Sequence, residues 1–157
     1  MAQGSVTVFD EALPNLNFGA ATTDAAAINV DADSFKIMIT TTAIGSIPAS
    51  TATPQYSDWS GTEATNGGGY TTTGAAATIT VSEAGGTLTV ALGADVVWTS
   101  TGSGGETNMR SAILYSDTST NDLALAVIDL TEDAGTTPID LNNGDLTISA
   151  GTLFTIA

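Results

Sequence analysis

Period-two alternation of apolar and polar residues, in runs too short to make helices, constrains this chain more than any other feature. SFKIMITTT (34–42) sets Phe35, Ile37 and Ile39 on one face and Lys36, Met38 and Thr40 on the other. TITV (78–81) and TLTVAL (87–92) repeat the pattern across the connection SEAGG, which predicts a hairpin. In it Leu88, Val90 and Leu92 share a face with Ile79 and Val81 opposite them. SVTVF (5–9), DVVWTS (95–100), DLTIS (145–149) and TLFTI (152–156) are further short candidates. MRSAILYSD (109–117) and DLALAVIDL (122–130) are apolar on both faces, as expected of strands in the middle of a sheet covered from both sides. Eight or nine strands at this spacing predict an all-β chain, an antiparallel sandwich or barrel-like domain. The abundance of Thr and Val agrees, because β-branched side chains pack well on a pleated surface.

The connections carry the remaining signals. EALPNLNFGA (11–20) reads as one helical turn stopping at Pro14, or as an irregular arm. Residues 1–20 thus form an N-terminal arm or short strand plus turn, ahead of a single domain over 21–157. Residues 43–73, rich in Ser, Thr, Gly and Pro, make a loop of unusual length that carries Tyr56, Trp59 and Tyr70. These three are candidates to plug the end of the sandwich, to pack on a neighbouring subunit, or to face a sugar. Trp98 and Tyr115 sit within apolar strand patterns and are expected in the core. GSGGETN, between the Trp strand and the strand bearing Arg110, is expected to form a long, mobile hairpin tip.

Charge narrows the partners. Seventeen acidic residues stand against two basic ones, a net charge of −15. Nucleic acids bind mainly through Lys and Arg, and an anionic membrane repels such a chain, so neither is an expected partner. With no cysteine, disulfides and thiolate-bound metals are excluded. The N-terminus MAQGSVTVFDEALP has neither the basic nor the apolar segment of a signal peptide, which predicts synthesis without a standard export signal.

Catalytic chemistry finds little foothold. A Ser or Thr nucleophile needs a base, and without histidine only Lys36 or a carboxylate remains. Glycoside hydrolysis needs two carboxylates at a set separation, and candidates such as Glu63, Glu83, Glu106 and Asp117 mostly fall in predicted turns, where acids are common as solvated loop residues. DTSTND (117–122) spaces Asp117, Ser119 and Asn121 like the start of a calcium loop, but it lacks the sixth-position Gly and has Ile128 at the twelfth. DLNNGD (140–145) reads as an Asn-Gly turn. The glycines before Arg110 run into a strand rather than a helix, so they match no phosphate loop. Arg110 is instead expected to pair with a carboxylate. The chain reads as non-enzymatic, with no cofactor and no metal site.

From residue 34 onward, the succession SFKIMIT, PQYSDW, NGGGYTT, ADVVWTS, MRSAILYSD, LALAVIDL and LTISAGTLFTIA resembles small structural proteins of tailed bacteriophages, encoded among head and tail genes. The short "EAL" segment near the N-terminus belongs to the same pattern. The Gly-rich insertion TGSGGETN is longer than that pattern has, and the segment after Leu130 is richer in acids and turns. The resemblance implies a virion component: a head decoration (cement) protein on the capsid surface that binds the major capsid protein. Decoration subunits often occupy local three-fold positions, which implies a homotrimer. The alternative is a tail or fibre module binding a host-surface glycan. Residues expected at partner or subunit contacts are Val6, Val8, Phe9 and Leu13 of the N-terminal segment, with Tyr56, Trp59, Tyr70 and Arg110.

Overall fold

The computed structural model describes residues 3–18 and 27–157. Within them the chain is mostly β, with twelve short strands and no α-helix, and none of its sheets closes into a barrel. The principal sheet has five antiparallel strands: β1 (Val6–Val8), β4 (Phe35–Thr40), β5 (Ala75–Ala77), β9 (Ser111–Ser116) and β10 (Ala124–Asp129). Their order is β1-β10-β9-β4-β5. Every residue of β9 and β10 is buried, as their two-sided apolar pattern predicts. Alternation then sorts the faces. Met38, Ile113 and Val127 align on one side, and Ile37, Leu114 and Ala126 on the other.

The second antiparallel sheet has order β12-β7-β6, formed by β6 (Ile79–Ala84), β7 (Thr87–Leu92) and β12 (Gly151–Ile156). The predicted hairpin is β6 and β7, in the register that places Ile79 on Leu92 and Val81 on Val90. Its turn is shorter than SEAGG. Ser82, Glu83 and Ala84 continue the strand, and only Gly85 and Gly86 turn, with φ of 60° and 85°. Both positive angles belong to a type I′ turn, which matches the twist of paired strands and strongly favours glycine.

Two short pairs complete the set. β8 (Val96–Trp98) pairs with β11 (Leu146–Ile148), and β2 (Leu16–Asn17) lies parallel to β3 (Ile28–Asn29). The excess over eight or nine strands comes from β2, β3 and β5, segments of two or three residues too short to show a period.

Two expectations are corrected. The Trp strand and the Arg strand do not form a hairpin, because β8 pairs with β11 while β9 lies between β4 and β10. Of the two C-terminal runs, β11 joins β8 and β12 joins β7. Pro14 lies within a 3-10 turn, Leu13–Asn15, rather than ending one, since proline fits the first turn, where its missing N–H costs nothing.

At the N-terminus, β1 pairs with β10 of the same chain, Val6 opposite Ile128 and Val8 opposite Ala126. Phe9 is fully buried. The expected boundary between residues 20 and 21 lies outside the described residues.

Candidate functional site

The long loop over 43–73 is ordered by the three aromatics that mark it in the sequence. Trp59 stacks on Phe9 with ring centroids 5.2 Å apart, Tyr56 tilts on Tyr115 at 5.1 Å, and Tyr70 meets Trp98 at 6.2 Å. Each aromatic in the loop thus has a ring partner on a strand or beside one. Short 3-10 turns at Ile44–Ser46, Tyr56–Asp58 and Ser60–Thr62 satisfy the intervening backbone.

Glu63 ties this loop together. Its Oε2 accepts from the Tyr56 hydroxyl at 2.7 Å, and its Oε1 from the Tyr70 hydroxyl at 2.7 Å and the Thr73 N–H at 2.6 Å. Tyr70 Oη in turn accepts the Ile39 N–H of β4 at 3.0 Å, and the Tyr115 hydroxyl donates to the Thr73 carbonyl at 2.7 Å. Burial, followed by the hydrogen bond to Glu63, pushes the Tyr56 hydroxyl up to about 12. Burial raises Tyr70 further, with the Glu63 bond adding to it, and burial also raises Tyr115, followed by the charge of Asp117.

Beside this cluster two glycine-rich loops interlock. A Cβ on Gly68 would lie 2.1 Å from the Gly105 Cα, and one on Gly69 would lie 1.9 Å from the Thr99 carbonyl oxygen. No side chain fits at either position, so the NGGGY run (66–70) is required by backbone packed against backbone. The Thr101 N–H donates to Gly68 O at 3.1 Å across the join. Asn142 clasps Gly105 from the far side, accepting its N–H at Oδ1 (2.8 Å) and donating to its carbonyl from Nδ2 (3.2 Å).

Glu106 closes the arrangement. Its Oε2 takes the Thr65 N–H and hydroxyl, and its Oε1 the N–H groups of Thr107 and Asn108. Burial works against the carboxylate, but these bonds together outweigh it and lower its pKa. The residues expected to form a mobile tip are therefore a stitched crossing between sheets. Beyond it Met109 and Ile139 exchange backbone bonds of 3.0 and 2.7 Å.

Among the described residues Arg110 meets no carboxylate. Its Nε donates to Asn108 Oδ1 at 2.9 Å, and its Nη1 to the carbonyls of Gly135 (2.6 Å) and Thr136 (3.0 Å). The guanidinium fork staples the segment after β10 to the start of β9, a role open to it because the nearby Asp133 is held by Thr131, Thr136 and Thr137. Among the described residues the ion pair is Lys36 with Asp117, at 2.9 Å.

The sequence-derived site residues thus separate into two groups. Phe9 (0% exposed), Trp59 (7%) and Tyr70 (2%) lie inside the chain and present almost no side-chain surface to a neighbour or a sugar. Tyr56 and Arg110 are half-buried and engaged internally. Val6 and Val8 are half-buried on an edge strand of the principal sheet, and Leu13 is 46% exposed. Sequence reasoning passed over Val97 (49%), on the outward side of β8, and Ile156 (41%), at the open end of β12 on the face it shares with Phe154.

The four candidate carboxylates are each engaged within the chain. Glu63 and Glu106 are held as described, Glu83 accepts the Gly86 N–H at 2.8 Å, and Asp117 pairs with Lys36. At 117–122 the Ser119 hydroxyl oxygen accepts the Leu123 N–H, and Asn121 and Asp122 both take positive φ, so the segment is a polar turn. Among the described residues no three His, Cys, Asp or Glu side chains gather as metal ligands would. A cleft of about 140 Å³ between Gln3 and β11 is well below the roughly 300–1,000 Å³ of small-molecule sites.

Compared with known proteins, the chain matches no family model, no curated protein and no solved structure.

Proposed function

We propose that this chain is a non-enzymatic virion component of a tailed bacteriophage: a capsid decoration protein that binds the major capsid protein and reinforces the head. It is made in the host cytoplasm and acts as a homotrimer on the capsid surface. The motif succession from β4 to β12 suggests this reading. One observation carries it furthest, the inward commitment of the chain's chemically capable groups. Tyr56, Tyr70, Tyr115, Glu63, Glu106 and Arg110 all bond within the chain, and every buried side-chain nitrogen and oxygen among the described residues has a partner.

What faces outward suits association rather than turnover. The sheet with order β12-β7-β6 carries Thr80, Ser82, Thr89, Thr152 and Thr155 on one face, and its outer strands are unpaired on one side among the described residues. Edge strands bind partners by adding a strand. Leu13, Val97 and Ile156 add exposed apolar contacts, and the acidic surface keeps decorated particles apart in solution.

Mass spectrometry and cryo-EM of purified particles test the reading. Hundreds of copies on the shell are expected. Recovery only from lysate, or a handful of copies at the tail, overturns it. The second outcome favours a tail module, whose glycan contacts would then involve residues other than the buried Trp59 and Tyr70.

A further inference from the structure

The chain contains two Asn-Gly dipeptides, Asn66–Gly67 and Asn143–Gly144, and the fold treats them oppositely. Asparagine followed by glycine is prone to attack on its own side-chain amide, because glycine leaves its nitrogen unshielded and its backbone free to approach. The decisive atom is that nitrogen, which must lose its proton and reach the asparagine Cγ.

At the first site the Gly67 N–H donates to the Tyr70 carbonyl at 2.9 Å. Gly67 is also wedged in the glycine interlock, where a Cβ would lie 2.6 Å from Gly104 O. At the second site Asn143 and Gly144 are both exposed, and nothing lies within 4 Å of the position a Gly144 Cβ would take. Among the described residues the Gly144 N–H has no backbone acceptor.

We propose that Asn143 is a site of spontaneous modification and that Asn66 is protected from it by the fold. The Gly144 nitrogen gives its proton to solvent base and forms a bond to Asn143 Cγ. The side-chain nitrogen takes up a proton and leaves as ammonia, closing a succinimide. Water then opens either carbonyl of the ring, giving aspartate or isoaspartate at 143. The balance is one water consumed and one ammonia released, with no redox change.

The position gives this chemistry a structural consequence. Asn143 Nδ2 donates to Asp140 Oδ2 at 3.1 Å, while Asp140 Oδ1 holds the Asn142 N–H (2.9 Å) and Nδ2 (2.8 Å). A carboxylate at 143 replaces that donor with a like charge. Asp140 loosens, and with it the Asn142 clasp on Gly105.

Two experiments on the full chain test the proposal. In the first, folded protein is held at mildly alkaline pH, and both peptides are followed by mass spectrometry with isoaspartyl methyltransferase labelling. Amide loss is expected about tenfold faster at Asn143 than at Asn66, the factor one backbone hydrogen bond supplies, with the ratio falling toward one in denaturing urea. Equal or faster loss at Asn66 in the folded protein overturns the proposal, as does an Asn143 amide that outlasts its unfolded counterpart. In the second, hydrogen exchange is compared between wild type and Asn143→Asp. The Gly105 amide is expected to exchange about fivefold faster in the variant while Ile39 stays unchanged. Unaltered exchange at Gly105 refutes the coupling to the clasp.

Discussion

Replacing Tyr70 with phenylalanine removes one oxygen and leaves the ring against Trp98. That oxygen accepts the Ile39 N–H at 3.0 Å and donates to the Glu63 carboxylate at 2.7 Å. Ile39 is fully buried in β4, so no water replaces the lost acceptor. An orphaned buried amide costs about 1–3 kcal/mol, and a bond to a charged acceptor contributes about 1.5–3 kcal/mol. Glu63 keeps Tyr56 and Thr73 as donors, which reduces the second figure, so about 2–4 kcal/mol in all is expected. With a urea slope near 2 kcal/mol/M, the unfolding midpoint falls by about 1–2 M. For a chain of this size the melting temperature falls by about 5–15 °C. Tyr56→Phe is the internal control. Among the described residues its hydroxyl has the single partner Glu63, and the ring is only half-buried, so about 0.5–1.5 kcal/mol is expected. A cycle pairing Tyr70→Phe with Glu63→Gln should show about 1 kcal/mol or more of coupling. A Tyr70→Phe midpoint within about 0.3 M of wild type, or equal effects at Tyr70 and Tyr56, refutes the view that this hydroxyl joins the loop to the sheet.

Three further outcomes are expected. Gly68→Ala adds a Cβ 2.1 Å from the Gly105 Cα at a φ of +62° and should cost about 3 kcal/mol or more in denaturant melts, whereas Gly86→Ala, with open space around it, should cost only about 1–2 kcal/mol for its φ. Glu106 has a folded pKa below its ordinary 4.5, so the stability it contributes is present above 4.5 and is lost as pH falls through the folded value. Glu106→Gln should therefore flatten the acid limb of the stability profile, and an unchanged slope contradicts the role given to its four donors. All three tyrosines have raised pKa values, so spectrophotometric titration of the folded protein should show little phenolate formation near pH 10. Because their neutral forms are favoured by folding, the stability they contribute is present below about 10 and is lost as pH rises through the folded values. Early titration of Tyr56 or Tyr70, assigned by phenylalanine substitution, refutes the Glu63 cluster.

The strands of this fold are legible from local alternation because a side-chain period of two is a property of the backbone itself. The β6–β7 hairpin was legible for the same reason, with two glycines at the turn to fix its register. Which sheet a strand joins is a different matter. β8 and β9 are neighbours in sequence, yet they belong to separate sheets, and the entropy of closing the 99–110 crossing depends only weakly on its length. Arg110 illustrates a second limit. Seventeen acids make a carboxylate partner the natural expectation, but the charges nearby were already held by threonine hydroxyls and backbone amides. The loop aromatics were recognisable as special without revealing their direction, because ring partners such as Phe9 and Trp98 come from distant parts of the chain. The exposed Val97 and Ile156 carry no distinguishing pattern, since one apolar residue reads alike on either face of a short strand.

The interlock of the two glycine loops has a consequence for how this chain can diverge. In an ordinary core contact, a large residue and a small one exchange places across the gap, so paired substitutions keep the volume constant. At Gly68 and Gly69 the atoms a side chain would meet are main chain, Gly105 Cα and the Thr99 carbonyl, and there is no side chain to trim in compensation. The join admits neither a conservative change nor a rescuing partner. Lineages that keep it must keep those glycines, and lineages that lose one must rebuild both loops together by insertion or deletion.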